Sequence, residues 1–209
     1  MFVHEELLPA FLDEFRRRTE LIRLGDPMDL HTDMGPVIHR EHRDKVVRYI
    51  EMGLREGATL VTGGAEPPVL TGPGAGDLDP AGFVRPTIFS ACQDDMCIVR
   101  EEIFGPVATV LAFRDEAEVV ARANDTPTGL AAGVLTNDLA RAHRVVEQLQ
   151  AGVCWINNFN LAPVELPWGG YKQSGLGREN GAAALEHWTQ TKAVFVDTSG
   201  RIDCPYPKQ

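Results

Sequence analysis

Apolar residues recur at helical spacing in the first quarter of the chain. Over residues 5–22 they fall three or four positions apart with charged residues between them, which predicts an amphipathic helix. A second stripe, which includes Val46 and Ile50, predicts a helix over residues 39–56. Gly57 follows that stripe and is predicted to adopt the left-handed conformation that often ends a helix.

Short apolar runs alternate with further helical segments in the rest of the chain. The runs that predict strands cover residues 58–62, 83–89, 106–113, 131–135 and 153–156. The segments that predict helices cover residues 115–123, 137–149 and 178–188, with Asp115 and Asn137 as the expected N-caps. This alternation predicts an α/β fold with a mostly parallel open sheet and helices on both faces.

The two ends of the pattern differ from its middle. Phe2 and Val3 resemble the end of a strand, since two residues are fewer than a usual strand contains. Residues 193–196 form an apolar run with no later element to pair with, so we expect them to pair with another subunit. The expected organisation is therefore a partial domain over residues 1–190 and an oligomerisation strand with a tail over residues 191–209.

Composition and charge narrow the class of protein. The chain has 209 residues and a formal net charge of −10, which opposes binding to a phosphate backbone and argues against nucleic acid as a partner. No apolar run approaches the roughly 20 residues that span a bilayer, and no signal peptide is recognisable. We therefore expect a cytoplasmic protein without a membrane partner.

Cysteine and histidine spacing does not predict a metal site. The four cysteines, Cys92, Cys97, Cys154 and Cys204, lack C-x-x-C spacing, so neither a zinc site nor a disulfide framework is expected. His39 and His42 are three residues apart on a predicted helix and could face one metal ion. Because no third ligand is near, a solvated helical face is the preferred interpretation.

Three motifs carry candidate chemistry: Glu101-Glu102-Ile103-Phe104-Gly105-Pro106-Val107, Cys154-Trp155-Ile156-Asn157-Asn158, and Pro167-Trp168-Gly169-Gly170 followed by Tyr171-Lys172-Gln173-Ser174-Gly175. Glu101 and Glu102 must point in different directions, so they are not an acid and base pair sharing one site. From chemistry alone they mark an exposed acidic loop end, while Cys154 and Trp155 are typical of core residues. Gly175, Gly177 and Gly181 mimic a dinucleotide-binding pattern, but a tight loop explains them better because no apolar strand precedes them.

In this order and spacing the three motifs resemble the carboxyl-terminal half of NAD-dependent aldehyde dehydrogenases of the betaine aldehyde type. The resemblance implies an incomplete catalytic domain of that family, active on betaine aldehyde or a related trimethylammonium aldehyde. In the family a cysteine thiolate attacks the aldehyde, hydride passes to NAD, and a glutamate activates the water that releases the acid. The nucleophile, the general base and the dinucleotide-binding domain lie before the position of Met1, which implies that this chain is inactive alone.

The resemblance assigns roles to residues that match the family's motifs. Glu102 is expected to bind the nicotinamide ribose, Phe104 to pack near the nicotinamide ring, and Lys45 to approach the same ribose. Cys154, Trp155 and Trp168 are expected on the wall of the substrate tunnel, where an indole face suits a quaternary ammonium group.

The same resemblance assigns roles after the double glycine. The backbone at Lys172 and Gly175 matches a potassium site between subunits, and Glu179 matches a residue of a proton relay. A structural loop with a carboxylate at a helix start remains open for all three.

Two other functions remain open. One is a non-catalytic oligomerisation or regulatory module that docks on a full-length homologue through its terminal strand. The other is an intact small NAD-binding protein with different chemistry.

Overall fold

The structure is a computed structural model that describes residues 1–201. The helices are α1 Leu8–Glu20, α2 Arg40–Arg55, α3 Cys97–Arg100, α4 Glu116–Asn124, α5 Leu139–Gln148 and α6 Ala183–Trp188. The strands are β1 Phe2–His4, β2 Thr59–Thr62, β3 Thr87–Ser90, β4 Val107–Thr109, β5 Leu111–Phe113, β6 Thr128–Gly129, β7 Ala131–Val134, β8 Val153–Ile156 and β9 Tyr171–Lys172. The predicted strand over residues 106–113 is thus two short strands separated by Val110.

Contacts between residues divide the chain into two units. Among the described residues, the first unit contains residues 1–126 with 147–149, and the second contains residues 127–146 with 150–201. The predicted partial domain over residues 1–190 stays a prediction. The oligomerisation role of residues 191–209 stays a prediction.

The first unit contains a three-stranded sheet in the order β2-β3-β4 and a two-stranded parallel pair, β1-β5. β3 pairs with β4 and β1 pairs with β5, both in parallel, whereas β2 joins β3 in the antiparallel direction. Since β4 and β5 are nearly continuous, they pair with β3 along their first half and with β1 along their second half. The α/β class is confirmed, with one antiparallel strand at the sheet's edge.

Helices cover both faces of this sheet. Ile88 and Phe89 are successive residues of β3 and therefore point to opposite faces. Ile88 lies in a cluster with Val3 and Val110 that is covered by apolar side chains of α1. Phe89 lies in the larger cluster that contains Val46 and Ile50 of α2 together with Ile98 and Leu111. All four residues of β3 are buried, as expected for a strand covered on both sides.

The second unit contains a parallel pair and a short antiparallel pair. β7 and β8 run parallel over four residue pairs, and β6 pairs with β9 in the antiparallel direction. Helix α5 buries Ala142 and Val145.

Two of the three predicted helix-end residues have the predicted role, and the third is replaced by its neighbour. Asp115 accepts a hydrogen bond from the Glu118 N–H at 2.9 Å and caps α4, and Gly57 follows α2 with a φ of +93°. Both predictions are confirmed. The prediction for α5 was wrong by one residue, because the carboxylate of Asp138 and not the amide of Asn137 accepts from the Arg141 N–H at 2.9 Å.

The last predicted helix is much shorter than its sequence pattern indicated. It begins at Ala183 and not at Arg178, because the backbone of Glu179 pairs with that of Trp168 through two hydrogen bonds of 2.7 Å. Asn180 and Gly181 then adopt φ values of +62° and +57°, which a right-handed helix does not accommodate. The tertiary pairing therefore overrides the helical propensity of this segment.

The run over residues 193–196 was predicted as a strand and is not one in the described chain. Its backbone pairs with no other strand among residues 1–201, and the side chains of Val194, Phe195 and Val196 are 76%, 92% and 72% exposed. A strand requires a partner for its ladder, so this segment has the composition of a strand without the pairing.

Residues 1–201 contain neither a helix that could span a membrane nor a cluster of side chains that could bind a metal ion. No helix there has the length and apolar content needed to cross a membrane. No group of three or more histidine, cysteine or acidic side chains could hold a metal ion in that same range.

Candidate functional site

The loop from Glu101 to Pro106 leaves α3 and enters β4 while lying against α2. Ile103 anchors it, since this side chain is 7% exposed and belongs to the larger core cluster. Gly105 allows the close approach, because a Cβ atom there would lie 2.6 Å from a methyl group of Val46. The glycine of the motif therefore has a packing reason.

The two glutamates of the motif have different surroundings, as predicted. The Glu101 carboxylate accepts hydrogen bonds from the Tyr49 hydroxyl at 2.5 Å and from the Cys97 thiol at 3.0 Å. The bond from Tyr49, followed by that from Cys97, lowers the pKa of Glu101. Glu102 is exposed, and its carboxylate makes no hydrogen bond within residues 1–201. Both glutamates are thus exposed, but only the Glu101 carboxylate is hydrogen-bonded to other side chains.

Lys45 lies beside Glu102, but it contacts the backbone and not the carboxylate. Its Nζ donates to the Glu102 carbonyl oxygen at 3.5 Å, and it lies 5.8 Å from the ring centroid of Tyr49. The structure therefore brings Lys45 next to the backbone of Glu102, and its approach to the ribose stays a prediction.

Phe104 has an unusual backbone conformation. Its φ is +59°, a region that bulky residues rarely adopt, and its ring is 72% exposed. Its carbonyl accepts a hydrogen bond from His42 Nε2 at 2.7 Å, with ring centroids 6.2 Å apart. Strained backbone that persists in a structure is typical of functional sites. The strain here turns an apolar ring toward solvent.

His42 was missed as a residue of this site. The sequence indicated only that it could pair with His39 on a metal or lie on a solvated face. The structure gives the two rings separate roles, because His39 accepts from the His42 N–H at 3.1 Å and so caps α2. Its spacing of three residues before Lys45, on one helical face, was the signal available.

An aromatic cluster lies in the second unit. The ring centroid of Trp155 is 5.9 Å from that of Trp168 and 5.1 Å from that of Phe159. Trp155 is only 8% exposed, and its indole N–H donates to the Leu161 carbonyl at 2.8 Å. Trp168 is partly exposed. Trp155 is therefore a core aromatic that supports Trp168, as the residue type alone had favoured.

Cys154 is adjacent to Trp155 in β8 and therefore points to the opposite face. It cannot line the same surface as the two indoles. Burial raises the pKa of its thiol.

The double glycine packs backbone against backbone. A Cβ atom at Gly152 would lie within 1.8 Å of the Gly169 carbonyl oxygen, and one at Gly169 would lie 2.6 Å from that of Gly177. Arg178, which the sequence did not single out, donates to the carbonyls of Gly170 at 3.0 Å and Gly177 at 2.7 Å. Gly152 and Gly169 therefore serve close packing, and an arginine holds the loop in place, whereas a Cβ at Gly175 would meet no atom within 4 Å.

The predicted potassium and relay residues lie in this loop region. Lys172 has a φ of +52° and Gly175 a φ of +139°, and both are exposed. Glu179 is exposed, and its backbone pairs with Trp168. The alternative of a carboxylate at a helix start was wrong for Glu179, because α6 begins four residues later.

No described thiol is activated as a nucleophile. Burial raises the pKa of Cys92, and the hydrogen bond to Glu101 raises the pKa of Cys97 to about 11. Burial also raises the pKa of the Cys154 thiol. A reactive cysteine requires the opposite shift. Cys204 lies outside the described residues.

Comparison with known proteins identifies the family. The profile described as "Aldehyde dehydrogenase family" matches residues 1–194. The chain is 57% identical over 206 residues to betaine aldehyde dehydrogenase of Brucella anthropi and 55% identical to that of Agrobacterium fabrum. Both matches cover 99% of this chain, but the chain spans only 41% and 40% of the length of those two relatives.

Solved structures give the same assignment. The structure of betaine aldehyde dehydrogenase from Staphylococcus aureus in complex with NAD+ has a TM-score of 0.90 and 38% sequence identity. The match covers 99% of this chain and 40% of that one. The motifs, the fold and both kinds of relative agree, and the chain belongs to the aldehyde dehydrogenase family.

Proposed function

We propose that the chain forms part of an NAD-dependent aldehyde dehydrogenase that oxidises betaine aldehyde or a related trimethylammonium aldehyde to its acid. Phe104 carries this proposal, because its backbone has a positive φ and its ring is exposed two residues after Glu102, whose carboxylate makes no hydrogen bond to the described residues. A carboxylate can bind the two hydroxyls of a ribose, and an apolar ring can pack near a nicotinamide. These side chains fit NAD, which accepts the hydride when it is bound.

The residues have distinct roles in the proposal. Glu102 binds the nicotinamide ribose, Lys45 fixes the Glu102 backbone close to the cofactor, and Phe104 excludes water from the nicotinamide face. Trp168 offers its ring face to the trimethylammonium group, and Trp155 packs against Trp168. Cys154 belongs to the other face of β8 and has no substrate contact in this proposal.

The isolated chain is proposed to lack turnover. The reaction needs a thiolate at neutral pH, whereas each of the three described thiols has a raised pKa. The potassium site at Lys172 and Gly175, the relay role of Glu179 and a cytoplasmic location stay predictions.

A chimera tests the cofactor role. In the Brucella anthropi relative, the matching 206 residues are exchanged for those of this chain. Glu102→Gln in this chimera should raise KM for NAD+, because a neutral amide binds a diol less well than a carboxylate does. Glu66→Gln is the matched control, since Glu66 is also exposed and lies elsewhere in the unit. An unchanged KM in the Glu102 variant would refute the assignment.

A second candidate function is an oligomerisation module that docks on a full-length homologue. The exposed apolar side chains of Val194, Phe195 and Val196 favour it. Its test is the association state of the chain in sedimentation.

A further inference from the structure

One face of α2 contacts three of the four residues of the loop 101–104. His42, Lys45 and Tyr49 are spaced by three and four residues, so they lie along one side of the helix. In reverse order, Tyr49 donates to the Glu101 carboxylate, Lys45 to the Glu102 carbonyl, and His42 to the Phe104 carbonyl. All three side chains are partly buried.

The contact to Glu101 differs from the other two because its acceptor is a side chain, whereas Glu102 and Phe104 accept through backbone carbonyls. Its carboxylate accepts one hydrogen bond from the hydroxyl of Tyr49, which lies on α2. It accepts another from the thiol of Cys97, the first residue of α3. The Glu101 N–H also donates to the Cys97 carbonyl at 2.9 Å. One carboxylate therefore joins α2 and α3 at the point where the loop begins.

Glu102 has no such support for its own side chain. Its carboxylate makes no hydrogen bond to the described residues, so its direction depends on the backbone on either side. On one side Glu101 holds that backbone, and on the other the buried Ile103 does.

We propose that Glu101, bonded by Tyr49 and Cys97, is a positioning residue that fixes the loop so that Glu102 and Phe104 are presented to the nicotinamide end of NAD. The inference rests on the proposed function. Glu101 itself does not touch the cofactor, and its effect passes through the backbone of Glu102.

The protonation states suit this arrangement at neutral pH. The pKa of Glu101 is lowered, first by the bond from Tyr49, and the pKa of Tyr49 is raised by the same bond. The pKa of Cys97 is raised to about 11. Hence the carboxylate is ionised while both donors keep their protons. Lys45 and Glu56 are further charged groups that act on Glu101 and on Cys97, respectively.

The first measurement needs only the 209-residue chain. The rate of alkylation of Cys97, followed by peptide mass spectrometry against pH, reports its thiol pKa. Glu101→Gln should lower that pKa toward the ordinary value of 9.0, because the charged acceptor is removed. Glu51→Gln, an exposed carboxylate elsewhere on α2, should leave it unchanged. An unchanged Cys97 pKa in Glu101→Gln would overturn the contact itself.

The second measurement uses the chimera with the Brucella anthropi relative. Tyr49→Phe and Glu101→Gln should raise KM for NAD+ by roughly three- to tenfold, the effect of one lost hydrogen bond. The KM for the aldehyde should not change. Cys97→Ser keeps a donor and should resemble the wild type, whereas Cys97→Ala should resemble Tyr49→Phe. Urea unfolding midpoints identify any variant that fails to fold, in which case the conservative Tyr49→Phe and Cys97→Ser pair decides.

The outcomes separate the two proposals. If Glu102→Gln raises KM for NAD+ but Tyr49→Phe and Glu101→Gln do not, the positioning role is wrong and the proposed function stands. If none of the three changes KM, the cofactor role of the loop fails, and the positioning role fails with it. A rise in all three variants, with the Cys97→Ser rescue, supports both.

Discussion

Cys154 and Trp155 are neighbours in β8, yet their side chains lie on opposite faces of the strand. The Trp155 ring contacts Trp168, and the Cys154 thiol lies 3.9 Å from the Ala151 carbonyl. Two adjacent residues of one motif thus belong to different surfaces, and only one of them can act on a substrate that contacts Trp168.

This relationship predicts different effects of two substitutions in the chimera. Trp168→Ala should reduce the preference for a trimethylammonium aldehyde over an uncharged aldehyde of similar size by about 0.5 to 2 kcal/mol, the range of a cation–π contact. Cys154→Ala should leave the preference unchanged. The ratio of kcat/KM for the two aldehydes measures the effect. Equal losses toward both aldehydes in Trp168→Ala would show that the indole provides only packing.

The isolated chain should produce no NADH from betaine aldehyde and NAD+ between pH 7 and 8. The reason is that its described thiols are protonated in this range, with the pKa of Cys97 near 11 and those of Cys92 and Cys154 raised by burial. The measurement is absorbance of NADH with protein free of host enzyme. Turnover that Cys154→Ala abolishes and Cys92→Ala retains would make Cys154 a nucleophile and contradict the prediction.

Gly105→Ala should destabilise the first unit by about 1 to 3 kcal/mol. The added Cβ would lie 2.6 Å from a methyl group of the fully buried Val46, so α2 or the loop must shift. Gly76→Ala is a matched control, because a Cβ at Gly76 meets no atom within 4 Å. The free energy of unfolding in urea decides, and equal stability of the two variants would refute the steric argument.

The ion pair of Arg23 and Asp33 should make stability depend on acid pH. Arg23 donates to the Asp33 carboxylate through Nε at 2.9 Å, through Nη2 at 3.0 Å and through its backbone N–H at 2.9 Å. The side-chain hydrogen bonds are the largest cause, and the backbone bond the next, of the lowering of the Asp33 pKa from 3.8 to about 2. A lowered folded-state pKa contributes stability that is complete above pH ~4 and is lost as the pH falls toward 2.

Asp33→Asn should therefore flatten the dependence of unfolding on pH between about 4 and 2. Unfolding midpoints followed by circular dichroism at several pH values provide the measurement. Asp13→Asn is a suitable control, because Asp13 is exposed on α1. If both variants keep the wild-type slope, the ion pair does not contribute to acid stability.

The terminal apolar segment should drive self-association at micromolar concentration. Val194, Phe195 and Val196 are exposed, and an apolar segment of strand-forming residues is a template for pairing with another chain. The double substitution Val194→Pro and Val196→Pro should shift sedimentation toward the monomer, because proline removes backbone donors without adding charge. Thr191→Pro, just outside the segment, should sediment as the wild type does. A strictly monomeric wild type would refute the prediction.

Much of the fold was predictable because its signals are local. The stripe with Val46 and Ile50 predicted α2 within one residue at each end, and the Asp115 cap of α4 was read from a side chain that bonds three residues ahead. The prediction failed at the helix 178–188. There the pairing of Glu179 with Trp168, eleven positions away in sequence, outweighed a helical pattern that had no means of showing it.

The sequence by itself determined the family, the alternation of strands and helices, and the divergence of Glu101 from Glu102. These follow from residue order and from periodicities of two and 3.6, which act over a few residues. Only the tertiary structure decided that Phe104 has a positive φ, that α2 contacts loop 101–104 through His42 and Tyr49, and that Trp155 is buried behind Trp168. Those features depend on segments that are distant along the chain and meet only when the core closes, so no local pattern encodes them.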